Sequence, residues 1–227
     1  MTITNKVSDL LIGTLLGSGN LQTTNGQIWQ YRVIHKAIHA PYIMHKYEVL
    51  KDYCLNEPKY SSVFDEKTQK SYQRYTFNTV ISDDFRFFGQ LFYQEDEEKK
   101  WKKHVPTNIA KYLTGPALAY WYMDDGALKW KGRSNAVRLC TDSFSKEEVN
   151  ILLKALENKF QLKVSLQKKN EILRISILEE SYPVLEKIIT PFLLPCMYYK
   201  FPDGNNGVYE GEDISSDIQN VFQARDL

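Results

Sequence analysis

The sequence predicts a mixed α/β (α+β) chain built as two similar halves, each combining helices with antiparallel strands. Three observations carry this prediction. Two apolar helical runs, residues 11–19 (LIGTLLGSG) and 118–126 (LAYWYMDDG), end alike in a small or acidic residue followed by glycine. Around each run the order helix, strands, helix, strands, helix recurs, which marks an internal repeat. Residues 162–178 then alternate apolar and polar side chains on either side of a polar turn at 168–171, the pattern of a hairpin with one dry face.

In the first half, Ser8 is a candidate N-cap for the helix that runs through residues 11–19. A strand is expected at 29–37, a helix at 41–53, and a hairpin at 60–64 and 72–81 across the polar turn 65–71. A helix at 83–93 follows. In the second hairpin strand Gln73, Tyr75, Phe77 and Thr79 alternate with Tyr72, Arg74, Thr76 and Asn78. That pattern alone does not say which set faces inward.

The expected division is residues 1–104, a join at 105–116, and 117–227. Thr114-Gly115-Pro116 opens the second motif helix with proline in its first turn. Residues 137–144 are rich in strand formers, and Ser145 with Glu148 forms a capping box. The helix behind it buries Val149, Leu152, Leu153, Leu156 and Phe160 at helical spacing. The tail from residue 203, with its Gly, Asn, Asp and Glu, is expected to be partly disordered.

A chain of 227 residues with 43% hydrophobic and 13% aromatic side chains can bury a substantial core. It lacks an apolar run of membrane-spanning length and a secretory leader pattern. The expected location is intracellular, in an organelle (mitochondrion or chloroplast) or a prokaryotic cytoplasm, with no membrane role and no secretion. Cys54, Cys140 and Cys196 are odd in number and widely spaced, which argues against a disulfide framework. His35, His39 and His45 lack an accompanying Cys pair, so zinc is not expected.

A formal net charge of +1 does not by itself announce a polyanionic partner. Distribution matters more, because phosphate binding depends on local clusters of Lys and Arg. Residues 99–104 (KKWKKH) form one such cluster, while acids gather at 95–98 and 210–217. On the predicted hairpin the polar face carries Lys163, Ser165, Gln167, Arg174 and Ser176, donors and acceptors suited to bases and phosphates. An ordinary solvated face reads the same way.

Gly13 and Gly17 are four apart, so one helical face can approach a partner backbone closely; the second copy is bulkier, with Tyr120 and Asp124 at the matching places. Late in each half a lysine precedes a proline, in Lys103-His104-Val105-Pro106 and in Lys200-Phe201-Pro202.

The two runs together resemble the paired signature of the LAGLIDADG homing endonucleases, and residues 8–202 are similar to the monomeric, two-motif, intron-encoded branch. The resemblance implies two pseudo-symmetric αββαββα halves that form antiparallel saddles, with the motif helices packed together at the centre. It implies site-specific binding of a long, asymmetric double-stranded DNA target and phosphodiester cleavage that depends on a divalent metal, Mg2+. The implied metal residues are Asp125 and Ser18, with Gly17 and Asp124 beside them, and the implied catalytic set is Asp125, Ser18, Lys103 and Lys200. Lys36, His39, Asp142 and Ser143 would order solvent. Arg32 and Arg74 would join the hairpin side chains in contacting DNA.

Ser18 departs from the family pattern. Magnesium prefers carboxylate oxygen, and a neutral hydroxyl brings no charge to a shared metal site. The expectation is that double-strand cutting is lost or reduced to nicking while target binding is retained. An intron RNA partner, as for a maturase, and a binding-only descendant are the alternatives.

Overall fold

The computed structural model describes residues 3–202, so the expected tail lies outside the described residues. The first motif helix, α1 (Asn5–Leu16), begins earlier than expected. Thr4, not Ser8, is the cap: its hydroxyl accepts from the Val7 N–H at 3.3 Å. The added turn has a physical reason, because Val7 joins Leu10 and Leu11 in the buried stripe.

The chain continues through β1 (Asn20–Gln22), β2 (Gln30–Lys36), α2 (Ala40–Leu50), β3 (Lys59–Asp65), β4 (Lys70–Asn78) and α3 (Arg86–Phe92). A short hairpin follows, β5 (Tyr93–Glu95) with β6 (Trp101–Lys103). The sequence pattern places Tyr93 at the close of a helix and reads 99–104 as a charge cluster. Tyr93 instead leaves α3 with extended dihedrals, and the Asp96 carboxylate accepts from the Glu98 and Lys100 N–H groups to turn the chain. Trp101 is anchored edge-on against Trp29, with ring centroids 5.2 Å apart.

The second half contains α4 (Gly115–Asp125), β7 (Gly126–Trp130), β8 (Ser134–Cys140), α5 (Lys146–Phe160), β9 (Val164–Lys169), β10 (Ile172–Ile177) and α6 (Tyr182–Ile189). Thr114 caps α4 through the Ala117 N–H, and the Ser145–Glu148 box caps α5 in both directions. β8 starts before residue 137 and stops at Cys140, because residues 141–144 fold back in a turn closed by the Phe144 N–H on the Thr141 carbonyl.

Two four-stranded antiparallel sheets result, in the orders β1-β2-β4-β3 and β7-β8-β10-β9. Tyr31, Val33, Tyr75 and Phe77 are buried on the helix side of the first sheet, which answers the question left open by the alternation in β4. Arg32, Lys36, Arg74, Thr76 and Asn78 therefore share the opposite face. In the second sheet Val137, Leu139, Ile175 and Ile177 form the dry side. The repeat is thus visible twice over, in element order and in sheet order.

α1 and α4 join the halves through one continuous core. A Cβ at Gly13 would collide with the Ala117 carbonyl, and one at Gly17 would sit 2.6 Å from the Asp124 Cβ. Hence the first copy has glycine where the second has bulk. Three polar contacts also tie the halves together: Thr114 to Asp9 at 2.5 Å across the helix pair and, from α2 to α4, His45 to Tyr120 at 2.7 Å and Tyr42 to Asp124 at 2.8 Å. No helix among the described residues is long and apolar enough to cross a membrane.

Candidate active site

The seam delivers the ends of both motif helices to one place. Ser18 is exposed just past α1, and its backbone N–H donates to Asp124 Oδ2 across the seam at 3.1 Å. Asp125 closes α4. Each helix end also receives a lysine from its own half. Lys103, at the end of β6, donates to the carbonyls of Gly17 and Gly19 at 2.9 and 3.0 Å. Lys200 donates to those of Met123 and Asp124 at 2.5 and 2.8 Å. Carbonyls at a helix C-terminus carry the negative end of the helix dipole, so they are natural anchors for ammonium groups.

Asp124 and Asp125 are neighbours with opposite fates. Asp124 Oδ1 accepts from Lys46 Nζ at 2.7 Å and from the Tyr42 hydroxyl, and its side chain is 0% exposed. Burial alone would raise its pKa, yet the Lys46 ammonium and the Tyr42 hydroxyl hold it below the usual carboxylate range. Lys46, itself 1% exposed, is lowered by burial against the pull of Asp124. Its Nζ also donates to His35 Nε2 at 2.9 Å. Burial, then Lys46, push His35 down to about 3, so it stays neutral and can accept that bond. The expected metal role of Asp124 is corrected accordingly: an enclosed carboxylate with both oxygens engaged is a strut of the seam.

Asp125 has no ion pair among the described residues. Burial, then the Asp124 charge, raise its pKa to about 6, opposed by Lys200, Lys103 and Lys46. A hard oxygen donor left unneutralised between two lysines could hold a divalent cation. Among the described residues no group of three or more His, Cys, Asp or Glu side chains gathers as a metal cluster. The donor set therefore fits a largely hydrated ion on Asp125, of the kind that shares its shell with substrate phosphate. Ser18 could add only a hydroxyl, and Gly17 has its carbonyl committed to Lys103.

The other expected residues divide. His39 is half-buried and stacks on Tyr199, with ring planes 12° apart; burial, then Lys200 and Lys36, lower its pKa. Lys36 is exposed on the outward sheet face opposite Arg74. Ser143 is exposed. Asp142 is exposed, and Arg174 Nε and Nη2 donate to its two oxygens at 2.8 and 2.7 Å. The same clamp engages two of the three Arg174 nitrogens. Lys163 pairs with Glu180 at 3.1 Å.

Arg32 and Arg74 lie on the outward face of the first sheet, and Ser165 and Gln167 on that of the second. Ser176 shares this second face by register but is 0% exposed, so it cannot reach a ligand directly. Sequence reasoning missed Lys46, Tyr42 and His35. One signal was present: Lys46 falls in the apolar stripe of α2 with Tyr42, Ile43 and Leu50, where a lysine needs a buried partner.

Comparison with known proteins gives this geometry its context. The sequence profile of the LAGLIDADG DNA endonuclease family matches residues 8–185. The chain is 44% identical over 216 residues to DNA endonuclease I-ChuI of Chlamydomonas applanata, covering 91% of this chain and 99% of that one. It is 30% identical over 202 residues to the cytochrome b mRNA maturase bI2 of Saccharomyces cerevisiae, covering 86% of this chain and 47% of the relative. Among solved structures, homing endonuclease I-WcaI bound to its DNA recognition sequence superposes with a TM-score of 0.81 at 26% identity, over 88% of this chain and 87% of that one. The chain belongs to the LAGLIDADG DNA endonuclease family.

Proposed function

We propose that this protein binds a long, asymmetric double-stranded DNA site as a monomer and catalyses metal-dependent phosphodiester cleavage in which Ser18 disables one of the two cuts. The observation that carries the reading is the Asp125 carboxylate, without an ion pair among the described residues, at the meeting point of two motif helices with Lys103 and Lys200 nearby. Residues 1–104 and 117–227 are the two halves, joined by 105–116, and the protein works inside the cell. Arg32, Lys36 and Arg74 supply positive charge on one outward sheet face, and Ser165 and Gln167 supply hydrogen-bonding groups on the other.

Asp125 would hold a divalent ion, Mg2+ by its preference for carboxylate and water oxygen. When bound, such an ion lowers the pKa of water and offsets charge on the leaving oxygen. The protein's own residues do the rest. Lys103 and Lys200, held by backbone carbonyls, are placed to stabilise charge that grows on the phosphate. His39, unprotonated at neutral pH, can accept a proton from solvent beside Lys36. On the Ser18 side the second carboxylate is missing, so the corresponding strand is expected to stay intact.

A randomised duplex pool incubated with the purified protein and Mg2+ tests this, by sequencing bound and cut molecules. Selection of one long sequence with breaks in one strand supports the reading; no sequence selection removes it. A second reading, an intron RNA partner, is favoured by the similarity to an mRNA maturase together with the lost acid. Tighter binding to the intron transcript than to the selected duplex would establish it.

A further inference from the structure

The outward face of the second sheet carries two arginines in opposite situations. Arg174 is neutralised by Asp142 through two hydrogen bonds. Arg138, in the middle of β8, makes no ion pair among the described residues, and its Nε is buried without a hydrogen-bond partner. Its register neighbours are Ala127 on β7 and Ser176 on β10, with Ser165 one strand further. The Ser176 hydroxyl directly opposite is also buried without a partner. Among the described residues only Trp121 Nε1 shares this condition, and Trp121 belongs to the core.

A buried donor left unmade is unfavourable by an amount comparable to a whole hydrogen bond, and arginine cannot shed its proton to escape. Ser176 is fully buried and cannot take an external partner, whereas Arg138 is partly exposed, so its guanidinium, without an ion pair among the described residues, is the group that an acceptor arriving from outside would meet. Its register neighbours Ala127 and Ser176 are small and leave room beside the arginine stem, and the residue is partly exposed. β8 is flanked on both sides by strands, so Arg138 faces the middle of the sheet, where a groove floor would lie, and not its rim, where phosphates would pass. Ala127, its partner on β7, lies two residues past Asp125.

We infer that Arg138 is a specificity-determining residue that reads the O6 and N7 acceptors of a guanine in the major groove. This inference rests on the DNA-binding reading above. From strand spacing and base-pair rise, the guanine falls within about five base pairs of the target centre, on the side of the second half. The planar fork of arginine matches those two acceptors, and the clamped Arg174 offers no equivalent.

The test uses the duplex selected by the wild-type protein from a randomised pool, with binding measured in EDTA against every single-base change. Wild type is expected to prefer guanine at one position by about ten-fold or more. Arg138→Ala should erase that preference while leaving the other positions unchanged, and Arg138→Gln should shift it toward adenine. Arg174→Ala should leave it in place. Uniform weakening across all positions in Arg138→Ala would mean a phosphate contact, and an unchanged profile would mean no contact; either overturns the inference. Failure of the wild-type protein to select any sequence would remove the DNA-binding reading itself, a result distinct from both.

Discussion

The two motif ends are built alike and charged differently. Each offers carbonyls at its C-terminal end to a lysine of its own half, yet α4 ends in Asp124-Asp125 while α1 is followed by Gly17-Ser18. The scaffold of the site thus survives without its full set of charges. What keeps it is the seam, where Gly17 leaves room for Asp124 and Lys46 neutralises it. Framework and proposed chemistry fall on adjacent residues with separable roles: Asp124 holds the helices, and Asp125 is the acid proposed to take the metal ion.

The sharpest break in this asymmetry is Ser18→Asp. It should raise double-strand cleavage in Mg2+ on the order of a thousand-fold, since a missing metal carboxylate forfeits several kcal/mol of transition-state stabilisation. Cleavage rates on the selected duplex check this, and equal rates for the two proteins would refute it. Next in size is the strut. Lys46→Ala leaves Asp124 buried and unpaired and should lower unfolding stability by about 3–5 kcal/mol in urea titrations. Lys46→Met combined with Asp124→Leu should recover most of that loss.

A smaller effect is expected where the helices touch. Gly17→Ala places a methyl group 2.6 Å from the Asp124 Cβ, and should destabilise by about 1–3 kcal/mol while disturbing Asp125. Asp125→Asn should act in the reverse direction on stability. Its folded pKa of about 6 lies above the unfolded value of about 3.9, so the group's contribution to stability is full below pH 4 and is lost as pH rises through 6. The neutral variant should therefore be more stable by about 1–2 kcal/mol at pH 7.5, with no gain at pH 4, while losing all metal-dependent nicking. Thermal melts at the two pH values distinguish this from a merely structural change.

Much of this was legible from local pattern. The repeat, the capping box at Ser145, the dry face of the last hairpin and the pairing of Lys103 with Lys200 follow from residue spacing and from the resemblance together. Interactions that depend on distant partners were not legible. Asp124 reads as a second acid until Lys46, 78 positions away, is seen against it. Arg174 reads as an isolated cation until Asp142 is seen against it, and the β5–β6 hairpin reads as a charge run until Trp101 is found packed on Trp29. In each case a tertiary contact overrode a correct local description.

A strand-resolved cleavage assay addresses the inequality of the two ends most directly, with each strand of the selected duplex separately labelled and the protein supplied with Mg2+. One-sided nicking is the predicted result, always in the same strand, absent in Asp125→Asn and converted to full double-strand breaks by Ser18→Asp. Breakage of both strands at equal rates by the unaltered protein would contradict it.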